Sequence, residues 1–317
     1  MISVGKLNQY RDFYNYLLLV REVRESTATY YVQKVGVLLR VSPVLTKASL
    51  EQAFATLKAQ GAKNAYINNL RDTLRVYCDF LKYQGVEIDP SIFTLKKLKE
   101  EAVIRATMSD SEIEAFLNLP APYSTVLNAN TGELQTIQTS KKQYEIWTLF
   151  FSIMAYTGMR PQEVALLTPD LVDFGRKIFI VPEENSKTHS ERYVPIPPNI
   201  LDKVENHVKE LQGEYLFPAR NGGDSRCGKA VVSNVQWGYN FHTRCKRLGI
   251  KRKGLVPYSL RHSLITRLLE EDVNIFKVQK IVGHKRLETT AGYTHMTTKD
   301  IQQAITKHPL IRCASLK

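Results

Sequence analysis

The stretch YSLRHSLITRLLEEDVNIFKVQKIVGHKRLETTAGYTHM, residues 258–296, decides the architecture of this chain. Its segments SLRHSLITRLLEE, VNIFKVQKIVG and LETTAGYTHM each carry apolar residues at helical spacing, so three short helices are expected in succession. Side chains able to do chemistry, among them Arg261, His262 and His284, stand at or near the ends of those helices.

Moving upstream, KIFIVPEENSKTHSERYVPIP (177–197) changes texture. Two β-rich runs, Lys177 to Val181 and Arg192 to Ile196, flank a polar turn and predict a hairpin. Before it, YEIWTLFFSIMAYTG (144–158) is a strongly apolar helix with Gly158 as its stop. Residues 120–141 read as a polar loop. SDSEIEAFLNL (109–119) opens with a capping residue, Ser109 or Asp110, and acidic side chains suited to the positive end of a helix dipole. Beyond residue 296 a final helix through Ile301 to Ile305 precedes a short basic tail.

The first 85 residues read as helices throughout: Leu7 to Arg24, a segment from Ser26 to Leu39, Thr46 to Gln60, and Lys63 to Gln84. In the last, Ile67, Leu70, Leu74, Cys78 and Leu81 fall on one face, the mark of a small bundle. The remaining faces hold Lys58, Lys63, Arg71, Arg75 and Lys82, which fit a phosphate-tracking surface and an ordinary solvated face equally well. Gly85 to Ser91, with Pro90, breaks the helical pattern, and TLKKLKEEAVIRATMS (94–109) follows as a charged connector. A helical domain over 1–100 and a second domain over 101–317 are therefore expected, in a mainly α chain with a small antiparallel sheet.

The chain has 317 residues, with 44 Lys plus Arg against 31 Asp plus Glu, a formal charge of +13. That excess draws the protein toward a polyanion, with nucleic acid the natural candidate, although an anionic membrane or plain solubility also fits such a charge. Cys78, Cys227, Cys245 and Cys313 are scattered with no CxxC pair, which argues against a disulfide framework or zinc site and implies a reduced, intracellular, metal-free protein. No apolar run approaches the ~20 residues a membrane helix needs. No cofactor is expected.

Arg160 lies in YTGMRPQEVALL (156–167), directly after the predicted helix stop; alone, its simplest role is as a partner for Glu163. Taken with the other segments it gains meaning. TGMRPQE, SKTHSERYVP, YSLRH, and VGH followed nine residues later by Tyr293 stand in one order over residues 157–295. Together they resemble the tyrosine recombinases, the family of phage integrases and Xer recombinases. TGMRPQE is similar to the family's first arginine box and SKTHSERYVP to its hairpin-lysine segment. YSLRH is similar to its HxLRH box with the first residue changed, and VGH with Tyr293 to its LGH and nucleophile boxes.

The resemblance implies an N-terminal helical core-binding domain of SAM-like type and an α+β catalytic domain. It also implies a metal-independent transesterification on double-stranded DNA. In it, Arg160 and Arg261 would clamp the scissile phosphate, whose developing charge two permanently charged forks can offset without a metal. Lys187 would protonate the departing 5′-oxygen, with Lys177 as a second choice lacking the ERYVP continuation. His284 would hydrogen-bond the phosphate and hold the nucleophile, and Tyr293 would attack to form a 3′-phosphotyrosyl link. Tyr258 departs from the family's histidine: a phenol still donates a hydrogen bond, but with a reference pKa of ~10 it is a poor base near neutral pH. His262, about 100° around the helix from Arg261, is expected to give indirect support.

By the same resemblance four subunits would assemble on two DNA sites in the cytoplasm, at the nucleoid. The tail over 297–317 would pack on a neighbour, or in cis on its own domain. A type IB-like topoisomerase and a DNA-binding regulator with a decayed site remain as alternatives.

Overall fold

The computed structural model describes residues 4–100, 105–127, 134–138, 141–186, 190–211, 213–219 and 231–293. The chain divides into two compact units, Met1–Ile104 and Arg105–Lys317.

In the first unit four helices form: α1 (Val4–Leu19), α2 (Glu25–Val41), α3 (Lys47–Ala59) and α4 (Asn64–Tyr83). The face of α4 read from the sequence is buried, with Ile67, Leu70, Leu74, Cys78 and Leu81 all in the core. Phe13 of α1 meets Tyr77 edge-on at 5.1 Å between ring centroids, an arrangement that aligns ring quadrupoles favourably. Helix α1 ends at Leu19, five residues before the expected Arg24. The chain turns at Glu22, in the left-handed region at φ 50°, and Val23 N–H closes the end on the Leu17 carbonyl. No glycine announces that stop.

Four of the five cations on the outer faces serve the unit itself, Lys58 by donating to the Asn64 side-chain oxygen. Arg71 donates to the Leu95 carbonyl at 3.3 Å and Arg75 to the Phe93 carbonyl at 3.2 Å, while the Lys82 ammonium lies 4.3 Å from the Phe93 ring. They hold the segment after α4 against the bundle.

The second unit is built around a helix buried nearly all round. After α5 (Asp110–Leu117), started by a full Ser109–Glu112 capping box, the region expected to be a polar loop instead contains an antiparallel hairpin. Strands β1 (Tyr123–Leu127) and β2 (Leu134–Gln138) pair from Tyr123↔Gln138 to Leu127↔Leu134. The physical reason is legible in retrospect: YSTVL and LQTIQ carry the β-branched residues Thr125, Val126, Thr136 and Ile137, which favour extended backbone.

Helix α6 (Lys141–Thr157) buries Trp147, Phe150, Phe151, Ile153 and Met154. It stops at Gly158, whose φ of 67° suits glycine. A Cβ there would lie 3.0 Å from Leu264 and 3.2 Å from Val282, so the residue is also a point of close approach. Helix α7 (Pro161–Ala165) leads into a three-stranded antiparallel sheet ordered β3 (Val172–Asp173), β4 (Ile178–Val181), β5 (Arg192–Pro195). The expected hairpin is thus present as β4–β5, with one short strand added at its edge. Helices α8 (Pro198–Lys209) and α9 (Asn234–Arg247) complete the shell around α6.

The opening stretch folds as three helices, α10 (Tyr258–Glu270), α11 (Ile275–Val282) and α12 (Leu287–Ala291). Asn274 caps α11 through its side chain, and Gly283 ends it in the left-handed conformation at φ 69°. The expected helix over 301–305 and the tail lie outside the described residues.

Candidate active site

The C-terminal end of α11 organises the site. A helix ends with carbonyls that have no partner within the helix and a partial negative charge. Here three consecutive carbonyls each receive a different arginine. Arg192 of β5 donates to Ile281 at 3.0 Å, Arg261 of α10 to Val282 at 2.8 Å, and Arg160, the residue before α7, to Gly283 at 2.9 Å. Arg261 also donates to the Gly158 carbonyl. One helix end therefore gathers cations from three separate segments.

Glu163 is their counter-charge. It is 3% exposed and accepts Arg160 Nη1 at 2.7 Å, Arg192 Nη2 at 2.5 Å and the Arg160 backbone N–H at 2.8 Å. Burial alone would raise its pKa, but Arg192 and Arg160 outweigh it and hold the carboxyl below its ordinary range. Arg160 is thus both the structural partner of Glu163 and a member of the cationic cluster. Burial, then Arg160, draws the Arg261 guanidinium down to about 9, still charged at neutral pH.

Tyr293 follows α12 and is 7% exposed. Its hydroxyl lies 2.6 Å from His262 Nδ1. The His284 ring stacks on its ring at 6.3 Å and 18°, and the Arg105 guanidinium lies 4.4 Å from the ring centroid. His284 Nδ1 is 2.9 Å from Thr290 Oγ1, which fixes the imidazole. Burial raises the Tyr293 phenol, opposed by Arg105 and Arg261. Burial and the surrounding cations lower His262 to about 4 and His284 to about 3, so both rings are neutral at physiological pH.

Tyr258 opens α10 with 39% of its surface exposed, one turn before His262, and the two rings lie 6.3 Å apart. Partial burial raises its phenol despite the pull of Arg160 and Arg261. It can donate a hydrogen bond and is a weak base. Five of the six candidates, Arg160, Tyr258, Arg261, His284 and Tyr293, converge in this way. Lys187 lies outside the described residues. Lys177, the second choice, precedes β4 with a left-handed φ of 55°, and its carbonyl accepts Ile196 N–H.

Three further residues enter the site. Arg192 had a readable signal: in ERYVPIP the strand alternation sets it on the face of buried Val194 and Ile196. His262 touches the Tyr293 hydroxyl directly, where indirect support was expected. Arg105, from the charged connector, had no signal. Among the described residues no group of three or more His, Cys, Asp or Glu could hold a metal.

The model of the phage integrase family matches residues 129–300, a span containing all six candidates. The chain belongs to the phage integrase family. Among curated relatives of this integrase-family protein is tyrosine recombinase XerA of Thermococcus kodakarensis, 27% identical over 285 residues, covering 89% of this chain and 88% of that one. Tyrosine recombinase XerD of Lacticaseibacillus casei is 26% identical over 310 residues, covering 94% and 97%. The fold is shared with the Tn1549 transposon integrase solved in complex with a circular intermediate DNA, at TM-score 0.69, 16% identity and coverage of 95% and 99%. It is shared too with a lambda integrase dimer bound to a COC′ core site, at TM-score 0.65, 18% identity and coverage of 89% and 96%. This integrase-family chain is a site-specific recombinase of the Xer-like tyrosine type.

Proposed function

We propose that this recombinase cuts and rejoins double-stranded DNA at a specific site through a covalent bond between Tyr293 and a 3′-phosphate. The observation that carries the reading is the convergence of Arg160 and Arg261 on adjacent carbonyls at the end of α11, beside His284 and the stacked ring of Tyr293. Three guanidinium groups, of Arg160, Arg192 and Arg261, beside the single buried carboxylate of Glu163 leave a positive pocket, the environment an anionic phosphorane requires. Arg160 and Arg261 bind the nonbridging oxygens, and Tyr258 and His284 donate hydrogen bonds to the phosphate. Tyr293 attacks, and Lys187 protonates the 5′-oxygen as it leaves. A 5′-hydroxyl of the partner strand then reverses the step, so neither metal nor nucleotide is consumed.

Residues 1–100 grip the duplex and residues 101–317 carry the chemistry. The charge of +13 supports a polyanionic partner. Four subunits assemble on two sites in the cytoplasm, at the nucleoid, and the tail over 297–317 packs on a neighbouring subunit.

A nicked suicide duplex, its sequence selected by the full chain from a random pool, tests the reading. A covalent protein–DNA adduct is expected from the wild type and is lost in Tyr293→Phe. No adduct on any selected site overturns the proposal. Exchange between two differently marked duplexes, resolved on a gel, separates recombination from same-strand rejoining.

A further inference from the structure

The replacement at Tyr258 leaves the cleavage step without an evident acceptor for the nucleophile's proton, and the geometry around Tyr293 supplies one. His262 Nδ1 lies 2.6 Å from Tyr293 Oη, the short end of hydrogen-bonding distance, with the rings 5.5 Å apart. His262 directly follows Arg261 on α10, so proton acceptor and phosphate clamp are held by the same turn of helix. We propose that His262 is the catalytic base that takes the proton from Tyr293 during DNA cleavage. The proposal rests on Tyr293 being the nucleophile.

The other nearby groups are less suited. His284 stacks face-on against the Tyr293 ring and turns its Nδ1 to Thr290. Tyr258 is a phenol, with no advantage over the phenol it would deprotonate. Around His262 stand Arg105 before α5, Arg261 and Tyr258 on its own helix, and Tyr293 and His284 from the segment after α11. Burial, and after it Arg105 and Arg261, keep the imidazole neutral, and therefore an acceptor, in the free enzyme. A phosphate entering between Arg160 and Arg261 offsets that positive field, so the ring becomes more basic as the substrate binds.

In the balanced step the Tyr293 Oη–phosphorus bond forms and the phosphorus–O5′ bond breaks. The Oη proton passes to His262 Nδ1 and the Lys187 ammonium gives one to O5′. In the reverse step a 5′-hydroxyl attacks, neutral Lys187 accepts its proton, and the His262 imidazolium reprotonates the departing Tyr293 phenolate.

Single-turnover cleavage by the full chain, on a duplex selected from a random pool, tests this with His262→Gln and His262→Asn. Both are expected to cleave about 10²- to 10⁴-fold more slowly while binding the same duplex with unchanged affinity. Their rates should rise about tenfold per pH unit between about pH 6 and about pH 8, where the wild type is flat, because the phenolate must then form unaided. A 5′-bridging phosphorothiolate, whose sulfur leaves without an acid, should restore Lys187→Ala and leave His262→Gln slow. Wild-type rates in the two variants, a slow rate with an unchanged flat profile, or rescue of His262→Gln by the sulfur substrate would each overturn the assignment while Tyr293 stays the nucleophile. Absence of any adduct from the wild type would overturn both.

Discussion

Arg244 on α9 and Arg261 on α10 are both almost fully buried, at 1% and 2% exposure, and neither has a carboxylate of its own. Their surroundings differ. Arg244 lies among rings, 3.9 Å from the centroid of Tyr144 and within 6 Å of Phe116 and Phe151. It donates to the Tyr144 carbonyl and the Thr148 hydroxyl, both at 2.9 Å. Aromatic faces and carbonyl dipoles offset that charge, and the guanidinium ties α9 to α6. Arg261 has carbonyls on one side and, on the other, Arg160 and Arg192 with Glu163 between them. A buried cation among rings is a structural tie. A buried cation among cations, with one carboxylate to share, is a site waiting for an anion.

Swapping each arginine for methionine should break the pair most sharply. Arg261→Met is expected to reduce cleavage at least about 10³-fold. Its thermal unfolding midpoint should fall less than that of Arg244→Met, because the Gly158 and Val282 carbonyls lose their donor but the repulsion from Arg160 and Arg192 is relieved at the same time. Arg244→Met should do the reverse, losing about 1–3 kcal/mol of stability as carbonyls lose their donor, with cleavage intact. Equal loss of activity in the two variants would erase the distinction.

Glu163→Gln leaves Arg160 and Arg192 buried without their carboxylate and should cost about 3–5 kcal/mol at neutral pH. Since the folded-state pKa of Glu163 is depressed, its contribution is present above the unfolded carboxyl pKa and fades as pH falls through the folded value. Urea titrations at acid pH should therefore show the gap between wild type and variant closing.

Gly283→Ala tests the arginine cluster without touching a charge. Its Cβ would come within 2.8 Å of Arg192 Cδ and Nε, on a backbone at φ 69°, so a loss of about 1–2 kcal/mol and slower cleavage are expected. The histidines supply a gentler probe. Both have lowered folded-state pKa values, so as pH drops below about 6.5 the unfolded chain gains protons first. Stability should decline from there toward about pH 3, and His284→Asn should flatten part of that decline in calorimetry. The smallest effect is expected at Tyr258: Tyr258→Phe should slow cleavage by about tenfold, the worth of one hydrogen bond, and Tyr258→His should not.

Much of this was legible in the chain because apolar periodicity and glycine stops survive folding unchanged. The face of α4, the stop at Gly158 and the three helices after residue 258 all depend on local spacing. The β1–β2 hairpin was hidden because short strands holding serine, threonine and glutamine, with neither an apolar run nor strict alternation, look like a loop by composition. Candidate residues were legible where a box of neighbours surrounded them, as at Arg160 and His284. Arg105 and the direct contact of His262 with Tyr293 depend on segments brought together from distant parts of the chain, which local spacing does not encode.

The end of α11 also sets where the length of this chain can vary. Each added residue turns a helix by about 100° and advances it about 1.5 Å. A single insertion between Ile275 and Val282 would therefore redirect the carbonyls of 281, 282 and 283 together, and Arg192, Arg261 and Arg160 would lose their addresses in one event. Substitutions along α11 can be absorbed one side chain at a time. A change of length there cannot, so relatives are expected to preserve the spacing from the α11 cap to the glycine more strictly than its letters.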